Sequence, residues 1–381
     1  MTYEKEMTAP VASVGTDAEQ SSQIFPANSI PDNYQEFNSF DEFFRQQQKE
    51  LLRQMNPSYL KTVTMAELYD TVFESQTPLI DGLLNRGAYL FVGSPKVGKS
   101  FMMLQLVYHI SIGKPLWDYK VRQAPVLYFA LEDNYARLQR RLYKMFGTEE
   151  TSKLYLATEG KTVNGGLDEQ IRGFMQEHHD TGLIIIDTLK RVRESGGGEY
   201  SYSNDYDIVA HLKAIADSYK ISILIVHHTR KEKGEDIFDS ISGTNGLLGA
   251  ADGAFLLSKN KRTANEAIMD VTGRDQQDMR LHLSKDTQHL VWNLEQAETE
   301  LWIEPPEPLL EKISEICFTE SDAWNGTATE LCEKLRIDMK PNVLTMRLNV
   351  NAGRLLKEYN IKYESRRSHD GRKVSLIKQT A

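Results

Sequence analysis

The sequence predicts an α/β protein with a mainly parallel, doubly wound sheet, followed by a small basic domain. Between residues 88 and 293, short apolar runs alternate with amphipathic helical segments. The earlier runs are almost continuously apolar, which is typical of parallel strands covered on both faces. The 381-residue chain has a net charge of −9, yet residues 334–381 hold twelve Lys or Arg and four Asp or Glu. A basic module therefore follows an acidic body, and contact with nucleic acid is expected to be local.

The elements of the predicted sheet follow from these patterns. Strands are predicted at 88–92, 126–131, 183–187, 221–227, 253–257, 267–271, 280–283 and 290–293. Helices are predicted at 100–112, 135–146, 167–178 and 206–219. The later strands follow one another through short polar turns, so we expect antiparallel strands at one edge of the sheet.

Two segments are predicted to precede the sheet domain. Residues 1–38 contain no leucine and are rich in polar residues, so we expect them to be disordered. Residues 39–61 are expected to form an amphipathic helix and a linker, opened by a capping box of Ser39 and Glu42. The apolar stripe of this helix has two possible partners, its own chain or a neighbouring subunit.

A linker at 299–308 ends in Pro305-Pro306-Glu307-Pro308 and is expected to precede a domain at 309–381. That domain should contain helices at 309–318, after Thr327, and at 344–359, then a hairpin at 361–366 and 373–377. This is the order of a winged helix, a fold that binds DNA or mediates assembly. Its last helix and hairpin carry Arg347, Arg354, Lys357, Lys362, Arg366, Arg367, Arg372 and Lys373.

Composition excludes several classes of protein. The two cysteines, Cys317 and Cys332, form no CxxC pattern, which excludes a disulfide scaffold and a cysteine-based zinc site. No apolar run approaches the roughly 20 residues that a membrane helix needs. The first residues show no apolar signal segment. We therefore expect a cytoplasmic protein.

A phosphate-binding loop is predicted between the first strand and the helix that follows it. The sequence Gly93-Ser94-Pro95-Lys96-Val97-Gly98-Lys99-Ser100 matches the pattern G-x-x-x-x-G-K-S/T in the required strand–loop–helix context. Its backbone N–H groups and the helix N-terminus should surround phosphate oxygens, with Phe101 continuing the loop into the helix. Lys99 should reach the β- and γ-phosphates and Ser100 should hold Mg²⁺. The motif predicts ATP and Mg²⁺ as cofactors.

Other strand ends are expected at the same edge of the sheet. Asp187 ends a strongly apolar strand, the Walker B form, and is a candidate Mg²⁺ ligand with Ser100. Glu132, with Asp133 beside it, follows residues 126–131 and is a candidate to polarise the attacking water. His227 or His228 is a candidate γ-phosphate contact, because parallel strands present their carboxyl ends to the ligand.

Together these residues resemble the RecA-like core of the RepA-type hexameric replicative helicases of plasmids, phages and other mobile elements. The resemblance covers about residues 62–295, with 62–298 as the ATPase domain. It rests on the phosphate loop and on five further segments: YFALED from Tyr128, LIIIDTLKRVR from Leu183, ILIVHHTRK from Ile223, SGTNGLLGAADG from Ser242 and TGRD from Thr272.

The resemblance implies roles for particular residues. It makes Glu132 the catalytic base, Asp187 the Walker B acid and His228 the γ-phosphate sensor, with Arg141 near the site. Family members form rings, often hexamers, with ATP between subunits and an arginine finger from the neighbour. Arg274 is the first candidate for this finger and Arg262 the second.

Single-stranded DNA is the expected partner of loops that would line the ring channel, at 191–204 and 230–245. These loops carry Arg191, Arg193, Arg230, Lys231 and Lys233. Duplex DNA or a replication partner is expected at the C-terminal domain. The main hypothesis is an ATP-driven DNA helicase. A RecA/RadA-like recombination ATPase and a DNA-binding regulator that uses ATP as a switch stay open.

Overall fold

The computed structural model describes residues 45, 48–49, 51–53, 55–73, 77–193, 202–228, 245–261, 263–274, 276–299, 306–318, 321–368 and 371–379. The chain divides into two compact units. One unit is Gln76–Pro305, and the other joins Met1–Ser75 to Pro306–Ala381.

The larger unit is built on one sheet with helices on its faces. Its strands are β1 (Gly87–Gly93), β2 (Val126–Ala130), β3 (Leu154–Ala157), β4 (Leu183–Asp187), β5 (Ser222–His228), β6 (Gly253–Ser258), β7 (Glu266–Gly273), β8 (Gln276–Lys285) and β9 (Trp292–Thr299). Preceded in the chain by α1 (Met65–Asp70) of the other unit, its helices are α2 (Lys99–Ile112), α3 (Tyr135–Phe146), α4 (Asp168–Glu177), α5 (Leu189–Val192), α6 (Tyr202–Tyr219) and α7 (Asn245–Ala250).

The strand order is β3-β2-β4-β5-β1-β6-β7-β8-β9. Strands β1 to β6 pair in parallel, whereas β7, β8 and β9 continue the sheet in antiparallel pairs. The predicted parallel sheet with an antiparallel edge is confirmed. Separate hydrophobic cores lie on its two faces, one involving α2 and α3 and the other α4 to α7. Because both faces are covered, β1, β2 and β4 are buried along their whole length.

Two differences from the predicted elements have simple physical causes. Strand β3 was not predicted, because it has four residues, pairs only with β2 and is half-buried throughout. Strand β8 extends beyond the predicted 280–283 at both ends, whereas β9 begins at Trp292, after the predicted start at 290, and continues to Thr299, beyond the predicted end at 293. Their added residues are largely polar, and at this antiparallel edge backbone pairing continues beyond the apolar core.

The smaller unit contains a three-stranded sheet and three helices from the C-terminal segment, with α1 from the N-terminal one. These elements are α8 (Pro308–Ile316), β10 (Ala323–Thr327), α9 (Ala328–Leu335), α10 (Pro341–Tyr359), β11 (Ile361–Ser368) and β12 (Gly371–Lys378). Thr327 and Glu330 form a capping box at the start of α9, the helix predicted after Thr327, and β11 pairs with β12 as the predicted hairpin. Strand β10, which pairs with β12, was not predicted.

Helix α1 lies in the smaller unit, which differs from the expected start of the ATPase domain at residue 62. The side chain of Asn349 donates a hydrogen bond to the backbone oxygen of Tyr69 at 2.8 Å, and Arg372 pairs with Asp70 at 3.2 Å. Val72 packs against the core of the C-terminal segment. These contacts join residues 62–73 to the smaller unit.

The predicted N-terminal helix is described only in part. Residues 45, 48–49 and 51–53 are helical, whereas Ser39 and Glu42 of the predicted capping box lie outside the described residues. In the part of the chain that the structure describes, no helix is long and apolar enough to cross a membrane.

Candidate nucleotide-binding site

The carboxyl ends of four parallel strands meet at one edge of the sheet. In the strand register, Gly93 lies beside His228, and Asp187 lies between Ala130 and Val226. The phosphate loop follows β1, and Glu132 follows β2 by two residues. The fold therefore gathers the sequence-predicted groups from segments that are far apart in the chain.

The loop has the backbone geometry that its glycines permit. Gly98 caps α2 with a φ of 115°, in the left-handed region that favours glycine. A Cβ on Gly98 would lie 2.7 Å from Cζ2 of Trp292, so the loop backbone packs directly on this indole. Trp292 is fully buried, and its backbone N–H and C=O both bond to the side chain of Gln105 in α2, at 2.7 and 2.8 Å. The first residue of β9 thus supports the loop from below.

Lys99 is held inside the loop. Its ammonium donates to the backbone oxygens of Gly93 and Ser94 at 2.7 and 3.1 Å, and it contacts Nδ1 of His228 at 2.9 Å. An ammonium has three N–H donors and no acceptor, so Nδ1 of His228 is the accepting nitrogen. Burial lowers the pKa of Lys99 to about 8, opposed by the negative charges of Asp187 and Glu132. Phosphate oxygens would replace these acceptors and further favour the charged form of Lys99.

Asp187 and Ser100, the expected metal-ligand pair, contact each other directly. The hydroxyl of Ser100 donates to Oδ2 of Asp187 at 3.1 Å, and the hydroxyl of Tyr128 donates to the same oxygen at 2.9 Å. Burial raises the pKa of Asp187, while the bonds from Tyr128 and Ser100 lower it. A hydroxyl and a carboxylate are oxygen donors that suit Mg²⁺, so the residues present fit this cofactor.

Glu132 lies near Asp187 at the end of β2. Its Oε1 accepts a hydrogen bond of 3.3 Å from the hydroxyl of the buried Thr188, and the rest of the residue is exposed. Asp133 is engaged elsewhere, because Arg137 and Arg141 bind its two carboxylate oxygens at 2.8 and 2.6 Å. Of the two neighbouring acids, Glu132 is therefore the one whose geometry suits a water-activating base.

The remaining predicted residues divide into those near the site and those away from it. Arg141 lies near the loop, with its guanidinium carbon 5.2 Å from the ring centre of Phe101. His228 contacts Lys99, whereas His227 is buried one residue earlier in β5. Burial, followed by the charge of Lys99, lowers the pKa of His228, which keeps its ring neutral.

Arg274 lies at the amino-terminal ends of the parallel strands, opposite the ends that carry the phosphate loop and Asp187. It follows β7, and its backbone N–H donates to the oxygen of Asp252, the residue before β6. Its guanidinium donates to the oxygen of Gly249 at 2.8 Å. Because β1 and β6 are parallel, the start of β6 lies beside the start of β1. The phosphate loop follows the last residue of β1, at the other end of the strand. Arg274 therefore does not serve the phosphate loop of its own chain, and Arg262 lies outside the described residues.

Most of the predicted channel loops also lie outside the described residues, including Arg230, Lys231 and Lys233. Arg191 is described, and its Nε donates to the backbone oxygen of Leu131 at 3.1 Å, which ties the start of the first loop to the end of β2. Arg193 is partly buried next to the same loop.

The basic surface of the smaller unit is less strongly charged than the sequence implies. Among the described residues, cations of this surface have acidic partners in the pairs Arg347–Glu307, Arg354–Glu358, Lys362–Glu364 and Arg372–Asp70. Arg366 of β11 lies directly opposite Lys373 of β12. Like charges that lie opposite one another on paired strands destabilise a hairpin. A bound anion would reduce the repulsion between these two cations.

Sequence reasoning missed Tyr128, Thr188 and Trp292. Tyr128 lies in an apolar strand and looks like a core residue, although its hydroxyl is what Asp187 binds. Trp292 is separated from Gly98 in the sequence by almost the whole domain. Only the three-dimensional contact identifies it, whereas Thr188 could have been noticed as the hydroxyl residue directly after Asp187.

Residues 54–234, less than half of the chain, match an AAA domain family. The DNA repair protein RadA of Helicobacter pylori strain J99 is 27% identical over 210 residues, covering 51% of this chain and 43% of RadA. This chain thus corresponds to less than half the length of that relative.

Two solved structures are also similar. One, described as an ATPase domain, has a TM-score of 0.46 and 16% identity, covering 68% of this chain and 100% of that one. A DnaB-like replicative helicase, described with its interactions with primase, has a TM-score of 0.46 and 14% identity, covering 66% and 71% of the two chains. The matched AAA domain, the mostly parallel sheet and the phosphate loop fit a RecA-like P-loop core.

Proposed function

We propose that the protein is an ATP-hydrolysing DNA helicase or translocase that acts as a ring in the replication of a plasmid, phage or other mobile element. The observation that carries the ATPase part is the meeting of Lys99, Ser100, Glu132, Asp187 and His228 at one sheet edge. This set contains a phosphate ligand, a metal-ligand pair, a base and a neutral histidine.

The residues of the site would divide the work of phosphoryl transfer to water. Lys99 would exchange its loop oxygens for β- and γ-phosphate oxygens. Ser100 and Asp187 would hold Mg²⁺, which neutralises phosphate charge when bound. Glu132 would accept a proton from the attacking water, with Thr188 orienting its carboxylate. His228, once released by Lys99, would contact the γ-phosphate. Loss of the γ-phosphate on hydrolysis would then break this contact and affect the segment that follows β5.

A ring is supported by the position of Arg274. The side chain is 56% exposed, lies at the edge opposite its own phosphate loop and carries a charge suited to phosphoryl transfer. A neighbouring subunit that presents this edge to the phosphate loop would complete the site. Hexamer formation, and DNA binding by loops 191–204 and 230–245, belong to the same proposal.

The smaller unit is proposed to bind duplex DNA as a winged-helix-like domain. Support comes from helices α8, α9 and α10, from the hairpin of β11 and β12, and from the opposed cations of that hairpin, Arg366 and Lys373. Phosphate contacts from such a hairpin would orient the protein on DNA without reading bases.

The RadA match favours a second candidate, a recombination or repair ATPase. The two candidates differ in what they do to DNA, since a helicase separates a fork and a recombination ATPase exchanges strands. The test is therefore a pair of assays with ATP and Mg²⁺, fork unwinding and strand exchange, with Lys99→Ala as the inactive control. ATP-dependent unwinding without exchange supports the main proposal, and exchange without unwinding overturns it in favour of the second.

A further inference from the structure

A group of aromatic and basic side chains lies beside the phosphate loop, and its two lysines have no role in the site described so far. We call Phe101, Lys259, Lys285 and Trp292 the basic–aromatic patch. The ammonium of Lys285 lies 3.9 Å from the ring centre of Phe101 and 5.7 Å from that of Trp292. The ammonium of Lys259 lies 5.2 Å from the centre of the Trp292 ring. The patch brings together α2, the end of β6, the end of β8 and the start of β9.

Lys285 differs from the other cations around the loop. Lys259 donates to the oxygen of Ala264 at 2.8 Å, and Arg141 is paired with Asp133. In the described part of the chain, no acceptor binds the Lys285 ammonium, whose contacts are the two ring faces. Burial lowers the pKa of Lys285, and the charges of Lys259, Arg141 and Lys144 lower it further. A half-buried ammonium among like charges is costly unless an acceptor compensates it.

The position of the patch indicates where this acceptor would come from. Phe101 directly follows Ser100 in the first turn of α2, and Trp292 packs on Gly98. A nucleotide whose β- and γ-phosphates occupy the loop extends its α-phosphate, sugar and base away from Lys99. Phe101 directly follows the loop in α2, and Lys285 lies over its ring, so the nucleoside half is expected on this side of the loop. Their chemistry, an aromatic face and a hydrogen-bond donor, suits a base and a sugar.

We propose that Lys285 is a nucleotide-binding residue that contacts the nucleoside half of the bound nucleotide, with Phe101 as the adjoining aromatic surface. The inference rests on the proposed ATP binding at the phosphate loop. On binding, the Lys285 ammonium exchanges the ring of Phe101 for acceptor atoms of the sugar or base. Lys285 then contributes to the affinity for nucleotides and not to the affinity for inorganic polyphosphate.

The experiment compares two ligands, ADP and inorganic tripolyphosphate, by calorimetric titration of the full-length protein. The variants are Lys285→Met, which keeps the length of the side chain, Lys285→Arg, which keeps its charge, and Lys120→Met as an exposed control. Lys285→Met should raise the Kd for ADP about tenfold or more, because it removes a charged hydrogen-bond donor. Lys285→Arg should recover most of that affinity. The Kd for tripolyphosphate should be the same in all four proteins.

Two results would overturn the assignment. Unchanged ADP binding by Lys285→Met would show that Lys285 does not contact the nucleotide. An equal loss of ADP and tripolyphosphate binding would show that Lys285 acts on the phosphates or on the fold. Failure of the proposed function gives a different result, in which the wild-type protein binds ADP no better than Lys99→Ala does.

Discussion

At the scale of single residues, the site depends on contacts that hold the phosphate loop and the Walker B acid in place. Gly98 has no room for a side chain because Trp292 lies under it, and its φ of 115° disfavours any other residue. Asp187 has two hydroxyl donors on one oxygen, from Ser100 and Tyr128. These contacts lead to two predictions.

Gly98→Ala should abolish the binding of adenine nucleotides. The added Cβ would lie 2.7 Å from the Trp292 ring, so either the loop or the indole must move, and the N–H groups lose their alignment on phosphate. Binding is measured by calorimetry with ADP. The control is Gly173→Ala in α4, where a Cβ meets nothing within 4 Å. Wild-type affinity in Gly98→Ala would show that the contact with Trp292 does not constrain the loop.

Tyr128→Phe should raise the Mg²⁺ concentration that half-saturates ATP hydrolysis. The change removes one of the donors that fix the Asp187 carboxylate, and it should lower the free energy of unfolding by about 1 kcal/mol. Tyr108→Phe is the matched control, because the Tyr108 hydroxyl binds Glu149, away from the site. An unchanged Mg²⁺ dependence, with the expected loss of stability, would reduce Tyr128 to a core residue.

At the scale of elements, the sequence predicted most of what positions the site. Strands β1, β2, β4 and β5 were predictable because buried parallel strands need apolar side chains throughout. Their carboxyl ends therefore indicated Lys99, Glu132, Asp187 and His228. Three features were not predictable: strand β3, the packing of Trp292 under the phosphate loop, and the contacts that join α1 to the C-terminal segment. Each depends on long-range packing that leaves no local pattern.

The hairpin of β11 and β12 gives an element-scale prediction about DNA. Replacing both Arg366 and Lys373 by Gln should weaken duplex binding. It should also reduce the slope of log K against log salt concentration by about 2, because each cation that contacts a phosphate releases counterions on binding. The control is Lys362→Gln, since Lys362 is paired with Glu364 at 2.8 Å. Binding is measured by fluorescence anisotropy over a range of salt concentrations. Equal effects of the two changes would argue against the hairpin as a phosphate-binding element.

At the scale of the whole molecule, the position of Arg274 at the far edge of the sheet predicts sites shared between subunits. Arg274→Ala alone should lower ATP hydrolysis by about three orders of magnitude, as loss of an arginine finger does. Lys99→Ala should be inactive for a different reason, loss of the phosphate ligand. Mixing the two variants under conditions of subunit exchange should restore part of the activity, because the Lys99 of one can meet the Arg274 of the other.

The mixture distinguishes a shared site from an ordinary loss of stability. Full activity in Arg274→Ala alone would remove Arg274 from the role and leave Arg262 as the candidate. Inactive variants that gain nothing on mixing would place the effect of Arg274 within its own subunit, through Gly249 and Asp252.

We infer that the phosphate-loop site hydrolyses ATP and that DNA controls the rate of this hydrolysis. The most direct measurement is steady-state ATP hydrolysis by the full chain with and without single-stranded DNA, with Lys99→Ala as the blank. We expect Lys99-dependent hydrolysis that single-stranded DNA strongly stimulates. Slow Lys99-dependent turnover that DNA leaves unchanged would contradict it and favour an ATP-controlled regulatory switch.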